Sequence, residues 1–186
     1  MKRVFLGIRI EAEKAIIETI DKIKIDLRAE NIRWVNTENY HITIKFFGNT
    51  EPERIELIDS LLKKLSGNYK AIRLDIFGAG YFKRDSKPKI LWLGSRNDKS
   101  LISMVTDIDE SLVQIGYNKE KRPFKSHLTI GSIRYINNME NFERVIVKHS
   151  DRLIQSCYIK SLVFYESILK PGGPEYIELY NYQLGL

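Results

Sequence analysis

Cysteine occurs once in the 186 residues, at Cys157, which excludes an internal disulfide and any zinc site built from several thiolates. Long apolar runs are missing as well, and nothing approaches the roughly 20 residues that a membrane-spanning helix needs. The start is basic, but only Val4, Phe5, Leu6, Gly7 and Ile8 stand before Arg9, too few for the core of a signal peptide. A reducing cytoplasm, with no membrane partner, is the expected setting. No Gly-rich loop follows a strand, so the chain lacks the pattern by which dinucleotide and P-loop folds cradle phosphates. Five prolines and eleven glycines are spread without forming a linker, and no segment is of low complexity. Histidine is scarce too: there are three.

What remains is an ordinary globular balance, 43% hydrophobic and 29% charged. At this length a single domain over residues 1–186 buries roughly 70% of the surface its unfolded chain exposes and needs no staples. Thirty Lys and Arg against 24 Asp and Glu leave a formal charge of +6, with a sequence pI near 9.3. That excess favours an anionic, phosphate-bearing partner, although a solvated lysine-rich surface gives the same number.

Periodicity predicts a strand over Val4–Ile10 and a helix over Glu11–Glu30, where Ala12, Ile16, Ile20, Ile23 and Leu27 recur at helical spacing. Strands follow at Ile32–Val35 and Tyr40–Phe47, then a helix from Pro52 stopped at Gly67. Leu74–Phe82 and Lys89–Gly94 read as a hairpin whose connection holds Lys83, Arg84, Asp85, Lys87 and Pro88. A third helix over about Lys99–Ile115, a strand over Ser126–Ile133, and a short helix near Met139–Lys148 come next. Three strands close the chain at Leu153–Ile159, Ser161–Glu166 and Tyr176–Leu184. The elements interleave without a tight βαβ rhythm, so an α+β protein with mostly antiparallel sheets is predicted.

The order "long helix, then a strand bearing one tetrapeptide" occurs twice. The tetrapeptide is His-apolar-Thr-apolar, at His41-Ile42-Thr43-Ile44 and His127-Leu128-Thr129-Ile130, and it accounts for two of the three histidines. On a strand, residues two apart share a face, about 6.5 Å along the chain. His and Thr of each copy therefore face one way, and the aliphatic residues anchor the strand on the other. A pseudo-symmetric fold would line one cleft with two imidazoles and two hydroxyls. Histidine titrates near 6.5, so one ring can take a proton while the other gives one. Each positioned acid or base is worth about 10²–10⁴ in rate. Threonine hydroxyls can donate to phosphate oxygens where charge builds up. Phosphodiester cleavage without a metal or other cofactor is the natural reaction class. Taken singly, each histidine is more often a core or surface residue, and His149 is assigned that role. No third ligand accompanies either copy to make a zinc site.

With these residues in place, the chain resembles the two-histidine phosphoesterase superfamily, and within it the RNA 2′,3′-cyclic phosphodiesterases historically named 2′-5′ RNA ligases. The resemblance runs from Arg3-Val4-Phe5-Leu6-Gly7-Ile8 through Arg33-Trp34-Val35 and Glu38-Asn39-Tyr40-His41-Ile42-Thr43-Ile44-Lys45-Phe46-Phe47-Gly48. It continues in Pro88-Lys89-Ile90-Leu91-Trp92-Leu93-Gly94, Arg122-Pro123-Phe124-Lys125-Ser126-His127-Leu128-Thr129-Ile130-Gly131 and Leu162-Val163-Phe164-Tyr165-Glu166-Ser167, ending in Gly173-Pro174-Glu175-Tyr176. It implies a bilobal α+β fold with two antiparallel sheets facing across a central cleft, helices outside, related by a pseudo-twofold. It also implies hydrolysis of RNA 2′,3′-cyclic phosphate ends to 2′-phosphomonoesters, with weak reversible 2′-5′ ligation. Separately, the chain is expected to act as a monomer. His41 would protonate the departing O3′, His127 would activate water, and Thr43 and Thr129 would hold phosphate oxygens. Two positions depart from the family: Ser126 stands where Pro is usual before the second His, and Ser132 stands where an Arg is common. Arg134, two residues on, is the expected replacement cation, with Lys45 and Arg122 as substitutes. A non-catalytic RNA-end binder and a phosphodiesterase for small cyclic nucleotides are the competing readings. Of the neighbouring aromatics, Tyr40 and Phe124 are expected in the core by their parity.

Overall fold

The computed structural model describes residues 1–96, 99–171 and 173–185. Its strands are β1 (Lys2–Arg9), β2 (Asn31–Trp34), β3 (His41–Thr50), β4 (Ile72–Arg84), β5 (Lys87–Arg96), β6 (His127–Tyr135), β7 (Leu153–Ile159), β8 (Ser161–Lys170) and β9 (Gly173–Gln183). The helices are α1 (Lys14–Asp26), α2 (Pro52–Ser66), α3 (Lys99–Gln114) and α4 (Met139–His149), and a single 3₁₀ turn (Thr37–Asn39) precedes β3. Pro52 opens α2 at its first turn, where its missing N–H costs nothing. The Asn138 side chain caps α4 by accepting from the Asn141 amide at 2.9 Å.

Every strand pairing is antiparallel, in the order β7-β4-β5-β6-β3-β1-β8-β9, with β2 added on β6. The two halves anticipated from the duplicated motif are present, but they are not separate sheets. One register pair, Ile42 with Leu128, joins them into a single curled sheet. The two motif strands lie side by side at that seam.

The inward residues of both halves merge into one core. Val4, Leu6 and Ile8 of β1, Ile42 and Ile44 of β3, and Leu128 and Ile130 of β6 pack with the apolar faces of all four helices. A second, smaller cluster of Phe5, Val163 and Tyr165, with Tyr176 against it, occupies the opposite face of the sheet. That face carries the histidines.

Several boundaries differ from the periodicity, and three of them have a clear tertiary reason. The α1 pattern begins at Glu11, yet Glu11–Glu13 are not helical. The Gln155 amide on β7 clamps them, donating to the Glu11 carbonyl at 2.9 Å and accepting from the Glu13 amide at 3.0 Å. The β4–β5 connection shrinks to Asp85–Ser86, both at positive φ (51° and 61°), which suits a two-residue hairpin turn matched to strand twist. Lys83, Arg84, Lys87 and Pro88 therefore lie within strands. The β8–β9 hairpin reaches out to Lys170 and Gly173, well past the predicted strand ends. Cys157 is half-buried on β7, where its thiol donates to the Leu74 carbonyl and burial pushes its pKa up to about 11; it is inert.

Candidate active site

His41 and His127 open β3 and β6, and alternation puts Thr43 and Thr129 on the same face as their histidines. Extending the Ile42–Leu128 register by one residue each way sets His41 across from Thr129 and Thr43 across from His127. Each hydroxyl thus stands beside the histidine of the other strand, and the four side chains form one quartet. All four are partly buried.

The two imidazoles are held alike. His41 Nδ1 lies 2.7 Å from the Asn39 carbonyl, and His127 Nδ1 lies 2.7 Å from the Lys125 carbonyl, in each case two residues upstream. A carbonyl only accepts, so each Nδ1 carries the proton, which leaves Nε2 as the atom that can take or give one. Burial lowers the His41 pKa below the ordinary histidine range; the Asn39 carbonyl opposes this, and the charge of His127 adds to the lowering. Burial likewise lowers that of His127, opposed by the Lys125 carbonyl and reinforced by the Lys125 ammonium. The rings therefore sense each other, and a second proton on the pair is disfavoured.

The walls differ. His41 meets Tyr176 edge-on at 5.0 Å and Phe5 at 4.9 Å, and Phe5 in turn stacks on Tyr165. A cavity of about 90 Å³ opens beside it, reached by Arg9, Glu38 and Glu178. His127 meets Phe82 edge-on at 4.8 Å, and Phe82 leans on Trp92, over which the Lys125 ammonium sits at 4.8 Å. Trp92 lies close over Gly80, where a Cβ would fall 2.2 Å from the indole. Neither flanking ring anticipated for the core strays from it: Tyr40 is fully buried, and Phe124 packs against the main cluster.

The three expected cations fall elsewhere. A bulge in the β1–β3 register, between Leu6 and Gly7, turns Lys45 away from the histidine face and onto α3. There its ammonium binds Asp109 at 2.6 Å, and the Glu120 amide completes the carboxylate at 2.8 Å. Burial would raise the Asp109 pKa, but Lys45 and that amide hold it below the usual carboxylate range. Arg122 is exposed on the loop before β6. Arg134 is exposed too, beyond Ser132, at a register shift between β2 and β6 and outside the cavities beside His41. The residue set directly across from Ser132 is Arg33 on β2. Sequence reasoning passed over it because nothing in the chain announces that β2 pairs with β6. His149 is buried at the end of α4 with neither ring nitrogen paired, and burial keeps it neutral near pH 7. Among the described residues no three His, Cys, Asp or Glu side chains converge to hold a metal ion, and no helix is long and apolar enough to cross a membrane.

The family model described as LigT-like phosphoesterase matches residues 10–92, which include the first motif. The RNA 2′,3′-cyclic phosphodiesterase of Methanocaldococcus jannaschii is 32% identical over 94% of this chain and 96% of its own. That of Thermotoga maritima is 30% identical over 97% and 95%. The crystal structure of Escherichia coli LigT with 3′-AMP superposes with a TM-score of 0.76 at 22% identity, covering 98% of each chain. The chain belongs to the LigT-like, two-histidine phosphoesterase family. It is an enzyme, and its full-length curated relatives carry the name RNA 2′,3′-cyclic phosphodiesterase.

Proposed function

We propose that the protein hydrolyses RNA 2′,3′-cyclic phosphate ends to 2′-phosphomonoesters through His41 and His127, with no metal in the reaction. The observation that carries this is the pair of imidazoles on one face, each with Nδ1–H tied to a carbonyl and Nε2 left for chemistry. The names of the relatives supply the substrate class.

His127 is the base. Burial and the neighbouring Lys125 ammonium lower its pKa, and in its neutral form its Nε2 takes a proton from water as the water oxygen bonds to phosphorus. The P–O3′ bond breaks, and O3′ receives a proton from His41 Nε2. The products are a 2′-phosphomonoester and a free 3′-hydroxyl. Thr43 and Thr129 donate to the non-bridging oxygens, where negative charge grows in the transition state. One proton has moved from water to His127 and another from His41 to O3′, and exchange with solvent restores the pair. With a 5′-hydroxyl in place of water, the same steps form a 2′-5′ bond and free the 3′-hydroxyl, and their reversal cleaves it, so weak reversible ligation belongs to the same reading.

The test is a short RNA bearing a 2′,3′-cyclic phosphate, incubated with the protein in EDTA and followed by phosphorus NMR. The expected product is a 2′-phosphate, lost in His41→Ala and in His127→Ala. Tight binding of the cyclic end without turnover would instead make the cleft a grip with no chemistry.

A further inference from the structure

Beside the small cavity at His41 lies a far larger one, about 1120 Å³, between β2 and the β8–β9 hairpin. Arg9, Glu38, Asn39 and Tyr176 belong to both, so the reacting centre and the larger cavity share a wall. Arg33 enters the larger cavity from β2, beside Ser132. Gly173, at φ +130°, lies against its guanidinium. Arg33 and Arg9 make no ion pair among the described residues. Of the acidic groups in this wall, Glu175 is taken by Lys170, which leaves Glu38 against two arginines.

We infer that this cavity is a second subsite, in which Arg33, with Arg9, grips the phosphodiester that links the terminal cyclic nucleotide to the one before it. The inference rests on the proposed cyclic phosphodiesterase reading and narrows its substrate to an oligonucleotide end. A cyclic mononucleotide carries a single phosphate, which the His–Thr quartet occupies, and it offers Arg33 nothing. An RNA end carries a second phosphate one nucleotide away and a chain to fill the cavity. Arginine suits that task because its planar fork meets two phosphate oxygens at once.

The experiment compares adenosine 2′,3′-cyclic phosphate with a cyclic-ended triadenylate in wild type, Arg33→Gln and Arg33→Lys. Alongside, equilibrium binding is measured for 2′-AMP and for a fluorescent triadenylate ending in a 2′-phosphate. The expected wild-type preference for the trinucleotide is about tenfold or more in KM and Kd, one charge-assisted contact being worth that much. Arg33→Gln should collapse that preference and flatten the salt dependence of trinucleotide binding by about 0.7 in log–log slope, the loss of one phosphate contact on a single strand. Arg33→Lys should restore part of both. A wild type without preference, or a preference intact in Arg33→Gln, overturns the subsite. Absence of turnover on both substrates would remove the catalytic reading, and the binding arm would still decide on Arg33.

Discussion

The two halves of the site share their polar parts and differ in everything around them. In each, a histidine opens a strand, ties Nδ1 to the carbonyl two residues back and faces the threonine of the other strand. Around His41 the walls are Phe5, Tyr165 and Tyr176, with arginines beyond; around His127 they are Phe82 and Trp92 under a lysine. A repeated motif on a symmetric seam thus yields two groups of equal chemistry in unequal surroundings. Inequality is what acid–base work requires, because two identical rings would compete for one proton. Lys125 lowers the pKa of His127, whereas the charge of His127 is what adds to the lowering at His41.

The largest effects should come from the motif itself. His41→Ala and His127→Ala are each expected to lower kcat by about 10² or more, and the double variant by little more than either alone, because the two act as a unit. Additive losses in steady-state kinetics would break the pairing. Next, the walls: Gly80→Ala drives a methyl into the Trp92 indole, whereas at Gly7 the nearest atoms stand at 3.2 Å or more. Gly80→Ala should therefore displace Trp92 and Phe82 and cost about 1–3 kcal/mol in denaturant unfolding, more than Gly7→Ala costs. Equal costs would show that the His127 wall is as accommodating as the His41 wall. On a similar scale is the effect of Lys45→Met, which leaves the Asp109 carboxylate poorly paired on α3. A stability loss of about 1–3 kcal/mol is expected by urea titration, and no loss would return Lys45 to the list of free cations.

Much of the plan was legible in the chain. The His-x-Thr-x repeat carries its own geometry, since period-two alternation alone puts His41 and Thr43, or His127 and Thr129, on one face. The core aliphatics between them were equally plain. What was hidden depends on partners distant in sequence. Glu11–Glu13 look helical until Gln155 clamps them. Lys45 follows Thr43 by two and ought to share its face, but a bulge against β1 reverses it. Arg33 gains its meaning only from sitting across from Ser132, more than ninety residues away. Strand pairing and register shifts are tertiary facts that local periodicity does not encode.

The pH dependence of kcat/KM tests the acid–base pair most directly, because it reports the ionisations of the free enzyme. A base must be neutral, so activity falls as pH drops below its pKa; an acid must be protonated, so activity falls as pH rises above its own. Burial lowers both pKa values, and the mutual repulsion of the two rings lowers that of His41 further. The predicted profile is a bell centred on the acid side of 6.5, reduced to a single limb in His127→Ala measured at high enzyme concentration. A profile that is flat from pH 5 to 8, or a full bell that persists without His127, would contradict the account.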